Sequence, residues 1–153
     1  MSFSLILCPL AIAMSVSASS ASLGLLLNRS QHAPSKLPVL TTRFADEALL
    51  KQTLTEHGLS VRKTGADAFI TETGAGVLHY FRSSASQPYR MEVQNVRDLP
   101  ALLDALESLN RDYGRNVQQY TCETILKGIR ANGMKLDSQT VLEDDTILLT
   151  ISV

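Results

Sequence analysis

A chain of 153 residues is long enough to build a core without disulfide or metal staples. A formal net charge of -1, with 19% charged residues, makes no case for nucleic acid or an anionic membrane as partner. The two cysteines, Cys8 and Cys122, form no metal or redox spacing and are expected to be reduced and separate.

The charge is unevenly placed. No acidic residue precedes Asp46, and residues 1–28 carry no charged side chain at all. Leu5-Ile6-Leu7-Cys8-Pro9-Leu10-Ala11-Ile12-Ala13-Met14 is followed by a Ser/Ala stretch and then by Leu23–Leu27. A secretory signal would use the first run, but its positively charged n-region is missing. A transit peptide fits the serines and the lack of acid, yet such peptides are more basic. Pro9 and the serine cluster break the run well short of the ~20 apolar residues of a membrane span. The favoured expectation is a packed arm, residues 1–38 with its linker Ser30–Pro38, preceding a single α+β domain at 39–153. Leu5, Ile6, Leu7, Leu10, Ile12, Leu25, Leu26 and Leu27 would be costly to expose, so they are the expected contacts to a protein partner or a second copy.

Beyond the linker, Val39–Phe44 reads as a short strand. Asp46 caps a helix that buries Leu50 and Leu54, with Leu49 on the flank, and stops at Gly58. Leu59–Arg62, Ala68–Thr71, Val77–Arg82 and Tyr89–Val96 read as strands, with Met91 and Val93 inward. Asp98 caps a helix with the stripe Leu99, Leu102, Leu103, Leu106 and Leu109, and Asn110–Asn116 reads as a polar interruption. A final helix carries Cys122, Ile125, Leu126 and Ile129 on one stripe and ends at Asn132-Gly133. Met134–Leu142 and Ile147–Val153 close the chain as a strand pair, with Val153 expected inside the sheet. Half-wet helices and alternating strands predict a compact α+β sandwich: an antiparallel sheet with helices packed on one face.

Several stretches invite a chemical reading. Thr71-Glu72-Thr73-Gly74-Ala75-Gly76 is followed by strand-like sequence, not the helix a phosphate cradle needs, so a hairpin turn is expected. His32, His57 and His79 lack partners at metal-ligand spacing, and Glu143-Asp144-Asp145 is too tight for a calcium loop. No serine stands in a nucleophile elbow. No catalytic residue, cofactor or metal is therefore expected. The remaining polar set is Tyr80, Arg82, Arg90 and Arg97, with Arg111 and Arg115 as possible additions. A wet Tyr/Arg sheet face would grip an anionic ligand or a backbone phosphate. RNA-binding sheets show two or more stacking aromatics, and only Tyr80 offers itself here.

Val39-Leu40-Thr41-Thr42-Arg43-Phe44, then Leu49-Leu50 and Leu54 ending in His57-Gly58, resembles the opening strand and helix of the Ycf35-like family of cyanobacteria and plastids. Tyr120 to Ile129, Asn132-Gly133-Met134 and Val141–Leu149 resemble its closing helix and hairpin, with Asp144-Asp145-Thr146 in place of the usual Asp-Gly. The residues between Gly65 and Asn95 match poorly, and the leader lies outside the resemblance. The resemblance implies a small protein of cytoplasm or plastid stroma and carries over no catalytic residue. Taken together, the residues suggest a non-catalytic structural or adaptor subunit, with a binding module for an anionic ligand or nucleic acid as the alternative.

Overall fold

The computed structural model describes residues 1–7 and 39–153. In chain order these form β1 (Ser2–Leu7), β2 (Val39–Thr41), α1 (Glu47–Glu56), β3 (Val61–Gly65), β4 (Ala68–Thr73), β5 (Gly76–Phe81) and β6 (Arg90–Gln94). Then come α2 (Leu99–Ala131), β7 (Lys135–Val141) and β8 (Ile147–Ser152). The class is α+β with antiparallel pairing, as expected. The strands divide into two sheets, ordered β2-β6-β5-β4-β3 and β1-β8-β7. The described residues likewise fall into two units, 39–113 and 1–7 with 114–153, and α2 contributes to both. No described helix is long and apolar enough to cross a membrane.

In the unit of residues 39–113, the inward face of the sheet carries Leu40, Phe69, Leu78, Tyr80, Met91 and Val93, all buried. Alternation along each strand puts these residues on one side. Leu50 and Leu54 of α1 and Leu102, Leu106, Leu109 and Tyr113 of α2 complete this core. The start of α1 is fixed twice. Asp46 accepts the Leu49 N–H at 2.9 Å, and the Tyr113 hydroxyl accepts the N–H groups of Ala45 and Asp46 at 3.1 Å each. The helix ends where Gly58 takes φ +70° and the Leu59 N–H reaches back to the Leu54 carbonyl.

The expected break at Asn110–Asn116 is absent, and α2 runs through it without interruption. Polar residues end a helix only when they offer the backbone a competing partner, and this stretch contains no proline. Tyr113 instead extends the buried stripe of Leu102, Leu106 and Leu109 by one more turn. Beyond it the stripe shifts to Gln118, Cys122 and Ile129, which are buried, while Ile125 and Leu126 are only half-buried.

In the other unit, β8 is the central strand and buries Leu149 and Ile151. Gln118 donates from its amide to the Leu7 carbonyl at 3.2 Å and to the Asp145 carbonyl at 2.7 Å, tying β1 and the β7–β8 turn to α2. In that turn Asp145 has φ +62°, the left-handed conformation a glycine usually takes. Hydrogen bonds from the Thr146 hydroxyl and then from its N–H hold the Asp144 carboxyl below the ordinary range. Val153, expected inside the sheet, is 82% exposed because β8 ends at Ser152.

Candidate interaction surface

The expected Tyr/Arg face does not form. Tyr80 pairs with Met91 across β5 and β6, and paired residues of an antiparallel ladder share a face, so Tyr80 lies on the Met91 side and is 0% exposed. Its ring stacks on Phe69 at 5.1 Å between centroids. Arg90 pairs with Phe81 and therefore stands on the opposite side of the sheet, exposed. Among the described residues the buried Tyr80 hydroxyl has no hydrogen-bond partner, and desolvation raises its pKa far above the usual value. An orphaned buried hydroxyl costs ~1–3 kcal/mol. Tyr80→Phe should therefore leave the urea midpoint unchanged or raise it. A clear fall would show that the hydroxyl is bonded.

Arg82 faces the same way as Tyr80 and is spent inside the protein, with a side chain only 8% exposed. Its Nε donates to Asp67 Oδ1 at 2.9 Å, its second amino group lies 3.4 Å from Glu47 Oε2, and its first donates to the Ala45 carbonyl at 3.2 Å. The guanidinium sits 4.5 Å over the Tyr89 ring, whose hydroxyl donates to Glu47 Oε2 at 2.9 Å. Lys51 bonds the other Glu47 oxygen, and these partners hold the Glu47 carboxyl below its ordinary range. Burial, with the bond to Glu47, pushes the Tyr89 phenol up to about 12. Arg82 is thus a brace between α1, the β3–β4 turn and β5, not a free anion grip. Arg97 is exposed in the β6–α2 connection, Arg111 bonds Ser108 on its own helix, and Arg115 pairs with Asp145 in the other unit. The four named residues do not converge.

Each described histidine meets one carboxylate. His57 Nε2 lies 2.8 Å from Asp112, and His79 Nδ1 lies 3.4 Å from Glu92, which also accepts from Gln94. Among the described residues no group of three or more His, Cys, Asp or Glu side chains converges to hold a metal ion. Gly74-Ala75 forms a tight hairpin turn in which the Thr73 hydroxyl accepts the N–H groups of Ala75 and Gly76. A strand follows it, as the sequence implied.

A cleft of about 420 Å³ opens between α2 and the β7–β8 hairpin, lined by Cys122, Leu126, Val141 and Ile147. Burial raises the Cys122 thiol pKa, so little nucleophilic thiolate forms there at neutral pH.

The expected contact residues Leu5, Ile6 and Leu7 belong to β1, while Leu10, Ile12, Leu25, Leu26 and Leu27 lie outside the described residues. Phe3, Leu5 and Leu7 pair with Ile151, Leu149 and Ile147 and so face the side that buries Leu149 and Ile151. These residues form a strand in place of the expected arm, and the signal is local: Phe3, Leu5 and Leu7 alternate with Ser2 and Ser4 in the period of a strand. Phe3 is 43% exposed, and Ile6, on the other face, is 63% exposed.

Among the described residues β1 is also an edge strand, and it differs from the other described edges. β2 is only three residues long. β3 carries Arg62 and Lys63 with a register irregularity before Gly65, and β7 carries Lys135 and Asp137 with one between Leu136 and Ser138. Short length, charge and bulges are the devices that keep sheet edges from pairing with other chains. β1 has none of them: six consecutive residues, no charge and an unbroken register against β8. No family model matches the chain, and neither a curated protein nor a solved structure matches it.

Proposed function

We propose that the protein is a non-catalytic structural or adaptor subunit whose contact element is the outer edge of β1. The observation that carries this reading is the uncharged, unbulged edge itself, flanked by the exposed Phe3 and Ile6. A strand edge offers a row of backbone donors and acceptors, and a partner strand satisfies them while covering the apolar side chains beside them. The anion-binding alternative loses its support, because Tyr80 is buried and Arg82 is already paired to two carboxylates.

The test is site-specific photo-crosslinking in cells that make the full chain. A benzoylphenylalanine at Ile6 should give a discrete protein adduct, and the same group at Asp104, exposed on α2, should not. Equal yields at both positions, or no adduct at Ile6, would overturn the reading.

A further inference from the structure

The occupant of the β1 edge follows from which backbone groups point outward. The Val153 N–H donates to the Met1 carbonyl at 3.2 Å, which makes Met1–Val153 a hydrogen-bonded pair of the antiparallel ladder. Such pairs alternate with non-bonded ones. Phe3, Leu5 and Leu7 therefore bond to β8, and Ser2, Ser4 and Ile6 turn their N–H and C=O groups to the free side.

Resting on the reading above, we infer that the partner strand is β1 of a second copy, related by a two-fold axis at Ser4. An antiparallel self-pairing that uses these outward groups sets Ser4 against Ser4 of the copy and Ser2 against Ile6. About six backbone hydrogen bonds result, and both sheets keep their helix-facing sides together. In that register Phe3 lies opposite Leu5 of the copy as a non-bonded pair, where side chains come closest. The half-exposed Phe3 thus gains an apolar neighbour on the side that already buries Leu149 and Ile151. No charged side chain occurs in Ser2–Leu7, so the two-fold creates no like-charge contact. An isologous interface must be complementary to itself, and this strand meets that condition where β3 and β7, with their charges and irregularities, do not.

The experiment is light scattering behind size exclusion on the full chain, with two variants. The parent should elute at twice its 16.7 kDa. Ser4→Pro removes an N–H that β8 does not use, so it should halve the mass while the circular dichroism spectrum is kept. If proline at that site unfolds the sheet, Ser4→Cys with Cys8→Ser supplies the second arm. Under mild oxidation it should form a disulfide-linked dimer, while Ser2→Cys in the same background should not. A monomeric parent would overturn the self-pairing. A Ser4→Pro variant that stays folded and dimeric, or equal cross-linking from positions 2 and 4, would overturn the register and with it the proposal. An Ile6 photo-adduct to a different protein from a monomeric parent would leave the contact role standing with another partner.

Discussion

Leu50→Ala or Leu54→Ala is expected to lower the unfolding free energy by ~2–5 kcal/mol, the range for emptying a fully enclosed leucine site. Both side chains are wholly buried on α1, beneath the sheet face that carries Phe69, Leu78 and Tyr80. The core of this unit also holds aromatic rings stacked and edge-on to one another, and such close packing relaxes only in part around a cavity. Leu126→Ala should cost roughly half as much or less, since Leu126 is half-buried against the open cleft. Urea unfolding of the three variants checks the order. A Leu126→Ala variant weaker than Leu50→Ala would mean that the cleft is closed and α1 is dispensable.

The second large effect is expected at Arg82. Arg82→Ala removes the cation from between Asp67 and Glu47 and strips the cover from the Tyr89 ring. The two carboxylates are about a third exposed, so water compensates in part. A loss of about 2–3 kcal/mol is expected, below the figure for a fully buried pair. Arg82→Lys should recover only a fraction, because one ammonium cannot serve both carboxylates and the Ala45 carbonyl in the planar fork's geometry. Arg90→Ala, on the exposed face, should change stability by less than ~0.5 kcal/mol. The same network sets an acid limb. The folded Glu47 carboxyl sits below its ordinary value near 4.5, so its contribution is complete above that pH and fades as pH falls through the lowered value. Glu47→Gln should flatten the stability profile in that acid window and leave its alkaline side unchanged. An equal slope in parent and variant would exclude Glu47 as the source.

Local chemistry was legible in the sequence. Asp46 and Asp98 accept helix N-terminal N–H groups, and Gly58 and Gly133 take the left-handed conformation at helix ends. These features depend on a few neighbouring residues, and residue type alone determines them. The α+β class followed from the two periods for the same reason. What lay beyond reach was pairing. Alternation says that Tyr80 and Arg82 share a face and that Arg90 opposes Met91, but it does not say which residue of β6 meets Tyr80. Only the folded ladder sets Met91 there, and a slip of one residue exchanges the two faces of a strand. That register carried Tyr80 into the core, turned Arg82 toward Asp67 and Glu47, and left Arg90 alone outside. The same holds for β1. Its alternation was present in six residues, yet its standing as a sheet edge depends on β8, more than a hundred residues further along, because an edge belongs to the sheet and not to the strand.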